Sequence, residues 1–170
     1  MGPEPLSARM AWDPSRDVKQ EIRDFCDGFY GPGGKYIAEY LDWYPNYIRE
    51  HNLVMDAPKV WGDSGAWRKW VTKDAMEHCD GLFQQALSAT KSNPDYYNHV
   101  RRAYQEILWG SIAINLKPNS SLMDKELNLI DGADSRSVFA KAKLFGEIMR
   151  QNNYDKWRED LAYEPDKYPH

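Results

Sequence analysis

The sequence is poor in the residues that build β-sheets. Of its 170 residues only 16 are Val, Ile or Thr, and threonine occurs just twice, at Thr72 and Thr90. β-Branched side chains favour strands, and stretches that alternate apolar with polar residues are missing as well. These absences predict an all-α protein.

Aliphatic residues are scarce too. Leu, Ile, Val and Phe account for 31 of the 170 residues, a share that is typical of disordered chains when the net charge is high. The net charge here is only -4, and 7 Trp and 11 Tyr supply large rings. Each such ring can bury about 150–250 Å². We therefore expect a folded chain with an aromatic-rich core, of a length that suits one domain over residues 1–170.

Several classes of function lack their signatures. Acidic and basic residues are spread along the chain, so the basic stripe of a nucleic-acid-binding protein is missing. No run approaches the ~18 apolar residues of a membrane span, and the first ten residues, MGPEPLSARM, lack the order of a secretory signal. Cys26 and Cys79 stand alone, which predicts buried free thiols, with a disulfide between them left open.

Helix start and stop signals come early in the chain. Pro14 suits a first helical turn, and Asp13, Ser15 and Asp17 are all capable N-caps. Gly28 and the glycine-rich turn at 31–34 are expected to end this helix. A second helix is predicted from about residue 35, with a kink or break near Tyr44 because Pro45 follows it.

The rest of the chain also shows helical segments separated by loops. We expect a loop over 52–65, a long helix over about 66–90, another from Pro94, and a short one around 122–130. Asp134 and Ser135 then cap a last helix, and a polar tail covers 155–170. Inward stripes of the first, second and last helices include Val18, Leu41 and Phe139. The whole pattern predicts a bundle of five to six mostly antiparallel helices.

The segment ARMAWDPSRDVKQEIRDFCDGFYGPGGKYIAEYLDWY carries a specific set of motifs. They are a Trp-Asp-Pro step at 12–14, Asp17 and Phe25 on the following helix, a Tyr-Gly-Pro turn at 30–32, and a Tyr-Ile pattern over 36–40. With these motifs the chain resembles the C-terminal helical region of a bacterial glycoside-hydrolase-like family, domain of unknown function 4838, which is distantly similar to α-glucuronidases. The match covers about 35 residues, and the later helices fit only in general character.

The resemblance implies a non-catalytic role for this chain alone. Full-length members place a barrel domain before this region, and the barrel is expected to hold the acid and base carboxylates. The chain starts close to Trp12, so we expect a truncated first helix and a C-terminal fragment, a separately expressed domain, or a gene without its front end. Such a domain would pack on the catalytic barrel or on a second copy of itself. The resemblance is compatible with a secreted or periplasmic parent protein. The alternatives are a free-standing helical protein-interaction module that uses an exposed aromatic patch, and an independent sugar-binding module.

Catalytic and metal-binding patterns are not evident in the sequence. Glycoside hydrolysis needs two carboxylates that face each other across a bound sugar. The acidic pairs in this sequence, Asp74 with Glu77 and Glu39 with Asp42, are typical of solvated helix surfaces. Asp74 and His78 lie one turn apart but without a second histidine at ligand spacing. The turn at 31–34 lacks the Lys-Ser/Thr of a phosphate loop. We therefore expect no metal and no cofactor.

Clustered aromatic residues are the candidate binding site. They form two groups, one on a loop and the helix entry after it, and one near the end of an earlier helix: Trp61, Trp67 and Trp70, and Trp43, Tyr44 and Tyr47. Flat rings can stack on the apolar face of a sugar, and rings with a polar tip suit half-wet interfaces. Three interpretations stay open, namely core packing, a docking face for a partner domain, and direct sugar contact. Trp61 is the best single candidate outside the core, because it lies in a loop.

Overall fold

The computed structural model describes residues 17–53, 71–118, 120, 126–152, 156–158 and 161–162. Over these residues the chain forms five α-helices and one turn of 3₁₀ helix, which confirms the predicted all-α fold. The helices are α1 Val18–Tyr30, α2 Gly34–Glu50, α3 Lys73–Thr90, α4 Pro94–Ala113 and α5 Ser135–Gln151, and the 3₁₀ turn is Gly31–Gly33. Two short strands, β1 Lys156–Arg158 and β2 Leu161–Ala162, pair antiparallel. The sequence predicted only a polar tail there.

The chain divides into two compact units. The described part of the first unit is 17–52 and 78–104, which contains α1, α2, the C-terminal part of α3 and the N-terminal part of α4. The second unit contains the first turn of α3, the end of α4, and α5.

Helix α1 begins at Asp17, one of the three predicted caps. The Asp17 carboxylate accepts hydrogen bonds from the backbone N–H groups of Lys19 and Gln20, at 2.9 and 3.3 Å. These bonds satisfy donors that the first helical turn otherwise leaves open. The helix then continues through Gly28 to Tyr30, so the prediction that Gly28 ends it is wrong. The helix stops at Gly31, in the predicted turn at 31–34, and the φ of Gly31, 55°, lies in the left-handed region.

The three-residue 3₁₀ turn folds α2 back along α1. A Cβ on Gly34 would overlap the backbone carbonyl of Cys26, so the two helices meet here at a distance that only glycine allows. At the other end of the hairpin, Lys19 of α1 forms an ion pair with Asp42 of α2 at 2.8 Å. The residue order of these contacts makes the pair antiparallel, as predicted.

Helix α2 runs through Pro45, so of the predicted kink or break the break is wrong and the kink stays a prediction. Proline removes one N–H donor from the helical ladder. The side-chain amide of Asn46 donates to the carbonyl of Asp42 at 2.7 Å, and the Arg49 guanidinium reaches the carbonyl of Pro45 at 3.4 Å. Both bonds lie next to the proline, whereas the carbonyl that loses its backbone donor is that of Leu41, four residues before Pro45.

Helices α3 and α4 are also antiparallel. Asn93 caps α4 by accepting from the backbone N–H groups of Asp95 and Tyr96, and Pro94 occupies the first helical position as predicted. Within the first unit, the hydroxyl of Tyr104 accepts a hydrogen bond from the Gln84 amide at 2.9 Å. Helix α3 begins later than predicted, because the backbone at residues 71–72 is not helical. The Thr72 hydroxyl accepts from the N–H of Ala75 at 3.2 Å and so caps the helix.

In the second unit, α5 buries one continuous stripe. Asp134 caps it by accepting from the N–H of Ser137 at 3.2 Å, as predicted. Its buried residues are Val138, Ala142, Phe145, Gly146, Ile148 and Met149. Residues 126–130 are not helical, because the chain here pairs Leu129 with Leu116 in an isolated bridge; the predicted short helix is therefore wrong over these residues.

Three residues assigned to inward stripes are exposed instead, so those assignments are wrong. Val18 is the first residue of α1 and is 48% exposed, and Leu41 is 41% exposed in a groove between α1 and α2. Phe139 is 44% exposed because it lies one residue off the stripe of α5, which is about 100° around the helix.

Both cysteines are free and fully buried in the first unit, which confirms the predicted thiols and excludes the disulfide. Burial raises the pKa of the Cys26 thiol to about 11 and that of the Cys79 thiol to about 12. Neutral thiols of this kind act as small apolar core residues.

Candidate docking site on helix α2

The C-terminal half of α2 brings three of the predicted site residues together. The ring centroids of Trp43 and Tyr47 are 5.0 Å apart with the ring planes at 26°, and those of Trp43 and Tyr44 are 6.4 Å apart at 19°. All three side chains are half-buried. We call Trp43, Tyr44 and Tyr47 the aromatic face of α2.

Rings deeper in the first unit support this face. Tyr44 stacks on Tyr40 at 6.0 Å, and Tyr40 meets Phe83 of α3 edge-on at 5.2 Å. Phe83 in turn stacks on the fully buried Tyr104 at 5.2 Å. The exposed rings are therefore the outer end of a continuous series of aromatic contacts that starts in the core, which limits their rotamer freedom.

Two histidines extend the series at its outer end. The imidazole of His78 lies 4.0 Å from the Trp43 ring, and that of His51 lies 4.1 Å from the Tyr47 ring. Nδ1 of His51 donates to the backbone carbonyl of Tyr47 at 2.9 Å. A carbonyl can only accept, so this nitrogen carries the proton.

An acidic cavity of about 340 Å³ lies beside the aromatic face. Besides Trp43 and Tyr47 it is lined by polar side chains of the same helix, namely Glu39, Asp42, Asn46 and Glu50. The hydrogen bond and the charge of Lys19 hold the pKa of Asp42 below its usual value. Ring faces next to carboxylates suit a cation or a group that donates several hydrogen bonds.

The structure thus groups half of the predicted site residues. Trp43, Tyr44 and Tyr47 lie on one face of one helix, as their spacing in sequence predicts. Trp61, Trp67 and Trp70 lie outside the described residues, so a single site of six aromatic residues stays a prediction.

Sequence reasoning missed three members of the cluster. Tyr40 and His51 continue the helical spacing of Trp43, Tyr44 and Tyr47, so the sequence contained a signal for them. His78 lies on another helix and reaches Trp43 only through tertiary packing, so its sequence position carries no such signal.

In the suspected metal pair of Asp74 and His78, the histidine packs against an aromatic ring. The His78 ring lies 4.0 Å from the Trp43 ring at an angle of 31°, and the neighbouring Lys73 and Glu77 form an exposed ion pair at 3.8 Å. Among the residues described, His, Cys, Asp and Glu do not gather in any group of three or more that suits a metal ion. The glycine-rich segment at 31–34 forms the turn between α1 and α2, as predicted.

Comparisons of the chain with protein-family models, with curated proteins and with solved structures found no match. The resemblance to the glycoside-hydrolase-like family therefore stays a prediction. In the part of the chain that the structure describes, none of the helices is both long and apolar enough to cross a membrane.

Proposed function

We propose that this chain is a non-catalytic helical accessory domain of a glycoside-hydrolase-like, α-glucuronidase-like protein. It docks on the catalytic barrel through the aromatic face of α2. The family assignment is supported by the motifs from Trp12 to Tyr40. The docking role is supported by one observation, the half-exposed stack of Trp43, Tyr44 and Tyr47 that is anchored on the core.

The charge beside the stack favours docking over direct contact with an acidic sugar. Glu39, Asp42 and Glu50 line the adjacent cavity. Asp42 is paired with Lys19, but the carboxylates of Glu39 and Glu50 would repel the carboxylate of a uronic acid. A protein surface that offers lysine or arginine side chains suits the same cavity, because a cation can lie over a ring and pair with a carboxylate.

Catalysis by the isolated chain is tested directly. We expect no turnover of 4-nitrophenyl glycosides or glucuronides at any protein concentration. Hydrolysis that rises with protein concentration and disappears when Glu39 and Asp42, or Asp74 and Glu77, are changed to Gln or Asn would contradict the proposal.

The docking role is tested with a barrel encoded next to this chain. The genomic DNA upstream of the Met1 codon is read first, and an in-frame barrel-coding sequence supports the accessory role. Binding of that barrel is then measured by calorimetry for the wild-type chain, for the double variant Trp43→Ala and Tyr47→Ala, and for a control, Phe139→Ala. Large aromatic contacts dominate interfaces, so we expect the double variant to weaken binding by at least about tenfold. Equal affinities for all three proteins would refute docking through this face.

A free-standing interaction module is the second candidate. The acidic cavity beside Trp43 and Tyr47 favours it, because that cavity suits a basic segment of any partner. The absence of any barrel-coding sequence near the gene would favour this candidate. Titration of xylo- and glucurono-oligosaccharides, followed by tryptophan fluorescence, tests the sugar-binding alternative; no change at millimolar ligand would remove it.

A further inference from the structure

A groove between α1 and α2 carries charges in an unusual order. It has a volume of about 350 Å³ and an apolar floor made by Ile22, Ala38 and Leu41. Its walls carry three basic and three acidic side chains, which are Lys19, Arg23, Lys35, Asp27, Glu39 and Asp42. The walls therefore have no net charge, although each position is strongly charged.

The antiparallel hairpin arranges these charges in three levels. The 2.8 Å ion pair between Lys19 and Asp42 marks one end, and the close approach of Gly34 to Cys26 marks the other. Each level then holds one residue of α1 and one of α2 with opposite charges, in the order Lys19 with Asp42, Arg23 with Glu39, and Asp27 with Lys35. Along the groove, α1 reads plus, plus, minus, and α2 reads minus, minus, plus.

We propose that this groove is the contact surface between two copies of the chain. A second copy is turned about a two-fold axis parallel to the helices, so that its α1 lies over α2 of the first copy. Every level then faces its opposite: Lys19 faces Asp42 of the other copy, and the two levels below pair in the same way. A two-fold axis perpendicular to the helices would instead place Arg23 over Arg23 and Glu39 over Glu39. That arrangement keeps opposite charges only in the two outer levels and is repulsive in the middle level, so it is the less favourable of the two.

Exposed apolar residues support the same partner. Leu41 is 41% exposed on the floor of the groove, and Val18 is 48% exposed at the helix start next to Lys19. A two-fold contact places the Leu41 side chains of both copies in one shared layer, where each loses contact with water. The floor supplies affinity, and the charge order selects the orientation.

This surface is distinct from the aromatic face of α2, although Glu39 and Asp42 border both. The two proposals are therefore separable by experiment. Trp43→Ala removes part of the aromatic face but leaves the groove intact, so self-association should persist in that variant.

Self-association is measured by sedimentation equilibrium over a protein concentration of about 1–500 µM. The range extends this high because a contact of nine lining residues per copy is smaller than a standard interface and is expected to be weak. We expect a dimer at the upper concentrations. Leu41→Glu should raise the dissociation constant at least about tenfold, because it places a charge in the shared apolar layer. Phe139→Glu, an equally exposed apolar residue on α5, should change nothing. Circular dichroism checks that each variant keeps its helix content.

Charge reversal tests the orientation. One variant reverses only the α1 charges, and the other reverses only the α2 charges; they are K19E/R23E/D27K and K35E/E39K/D42K. Each variant alone presents like charges across the two-fold axis and should stay monomeric, whereas an equimolar mixture should form a heterodimer. Reversal of all six residues in one chain should restore the homodimer. A wild-type chain that stays monomeric at every concentration would overturn the proposal. A dimer that Leu41→Glu leaves unchanged, or a mixture of the two charge-reversal variants that stays monomeric, would overturn it as well.

Discussion

The hydroxyl of Tyr104 joins α3 to α4 inside the first unit, and its removal tests how much this contact stabilises the unit. The side chain is fully buried. Its hydroxyl donates a hydrogen bond to the Asp80 carboxylate and accepts one from the Gln84 amide at 2.9 Å. Burial and the neighbouring Asp80 raise the pKa of Tyr104, so the phenol keeps its proton. Tyr104→Phe removes one oxygen atom and leaves the ring contact with Phe83 in place.

The expected cost follows from the two lost bonds. A hydrogen bond to a charged group contributes about 1.5–3 kcal/mol, whereas Gln84 is exposed and can bond to water instead. The bond to Asp80 therefore dominates. We expect Tyr104→Phe to lower the free energy of unfolding by about 2 kcal/mol.

Urea unfolding followed by tryptophan fluorescence measures this change. Tyr97→Phe is the matched control, because Tyr97 is on the same helix but half-exposed, and such changes usually stay within about 0.5 kcal/mol. A loss in Tyr104→Phe no larger than that of the control would refute the role of the hydroxyl. An unchanged urea slope is needed for the comparison, because a changed slope signals altered compactness.

Three further predictions concern the first unit. Gly31→Ala should lower the free energy of urea unfolding by about 2 kcal/mol or more, because φ is 55° and the new Cβ would lie 2.5 Å from the Tyr96 ring of α4. The control Gly28→Ala has open space around its new Cβ and should be neutral or stabilising. His99→Ala should lower the free energy of unfolding by about 1–2 kcal/mol. The Nδ1 of His99 donates to the backbone carbonyl of Phe29, in the last turn of α1, at 2.7 Å, and its ring stacks on the Phe29 ring at 4.0 Å. An unchanged melting temperature would exclude this capping role. The raised pKa values of Cys26 and Cys79 mean that the unfolded chain loses thiol protons above pH 9 that the native chain retains up to about 11 and 12. The free energy of unfolding should therefore fall as pH rises from about 9, and it should fall less in Cys79→Ala. In a separate test, Ellman's reagent should react with the thiols only after urea is added.

The elements with strong local signals could be predicted from the sequence. The caps at Asp17 and Asp134 form because a short polar side chain can reach the open N–H groups of the next turn. That chemistry depends on a few neighbouring residues only. The same holds for the spacing of Trp43, Tyr44 and Tyr47 on one helix face.

Predictions failed where packing or a distant residue decides the outcome. The helix continues through Pro45 without a break, because the packing of a helix can outweigh the loss of one backbone hydrogen bond. The exposure of Leu41 and the contact of His78 with Trp43 depend on how helices pack, and helical periodicity fixes a face only to within one residue. The two strands at 156–158 and 161–162 are too short to leave an alternating pattern.

The brevity of the link between α1 and α2 has a consequence for folding kinetics. Only three residues separate the helices, so closing this hairpin costs little chain entropy, and its contacts are among the nearest in sequence in the first unit. The hairpin should therefore be formed when the folding barrier is crossed, as should the hairpin of α3 and α4, whose link at 91–93 is equally short. Truncation of Ile37 to Val should then slow refolding and leave the unfolding rate nearly unchanged, whereas the opposite pattern would place the nucleus elsewhere.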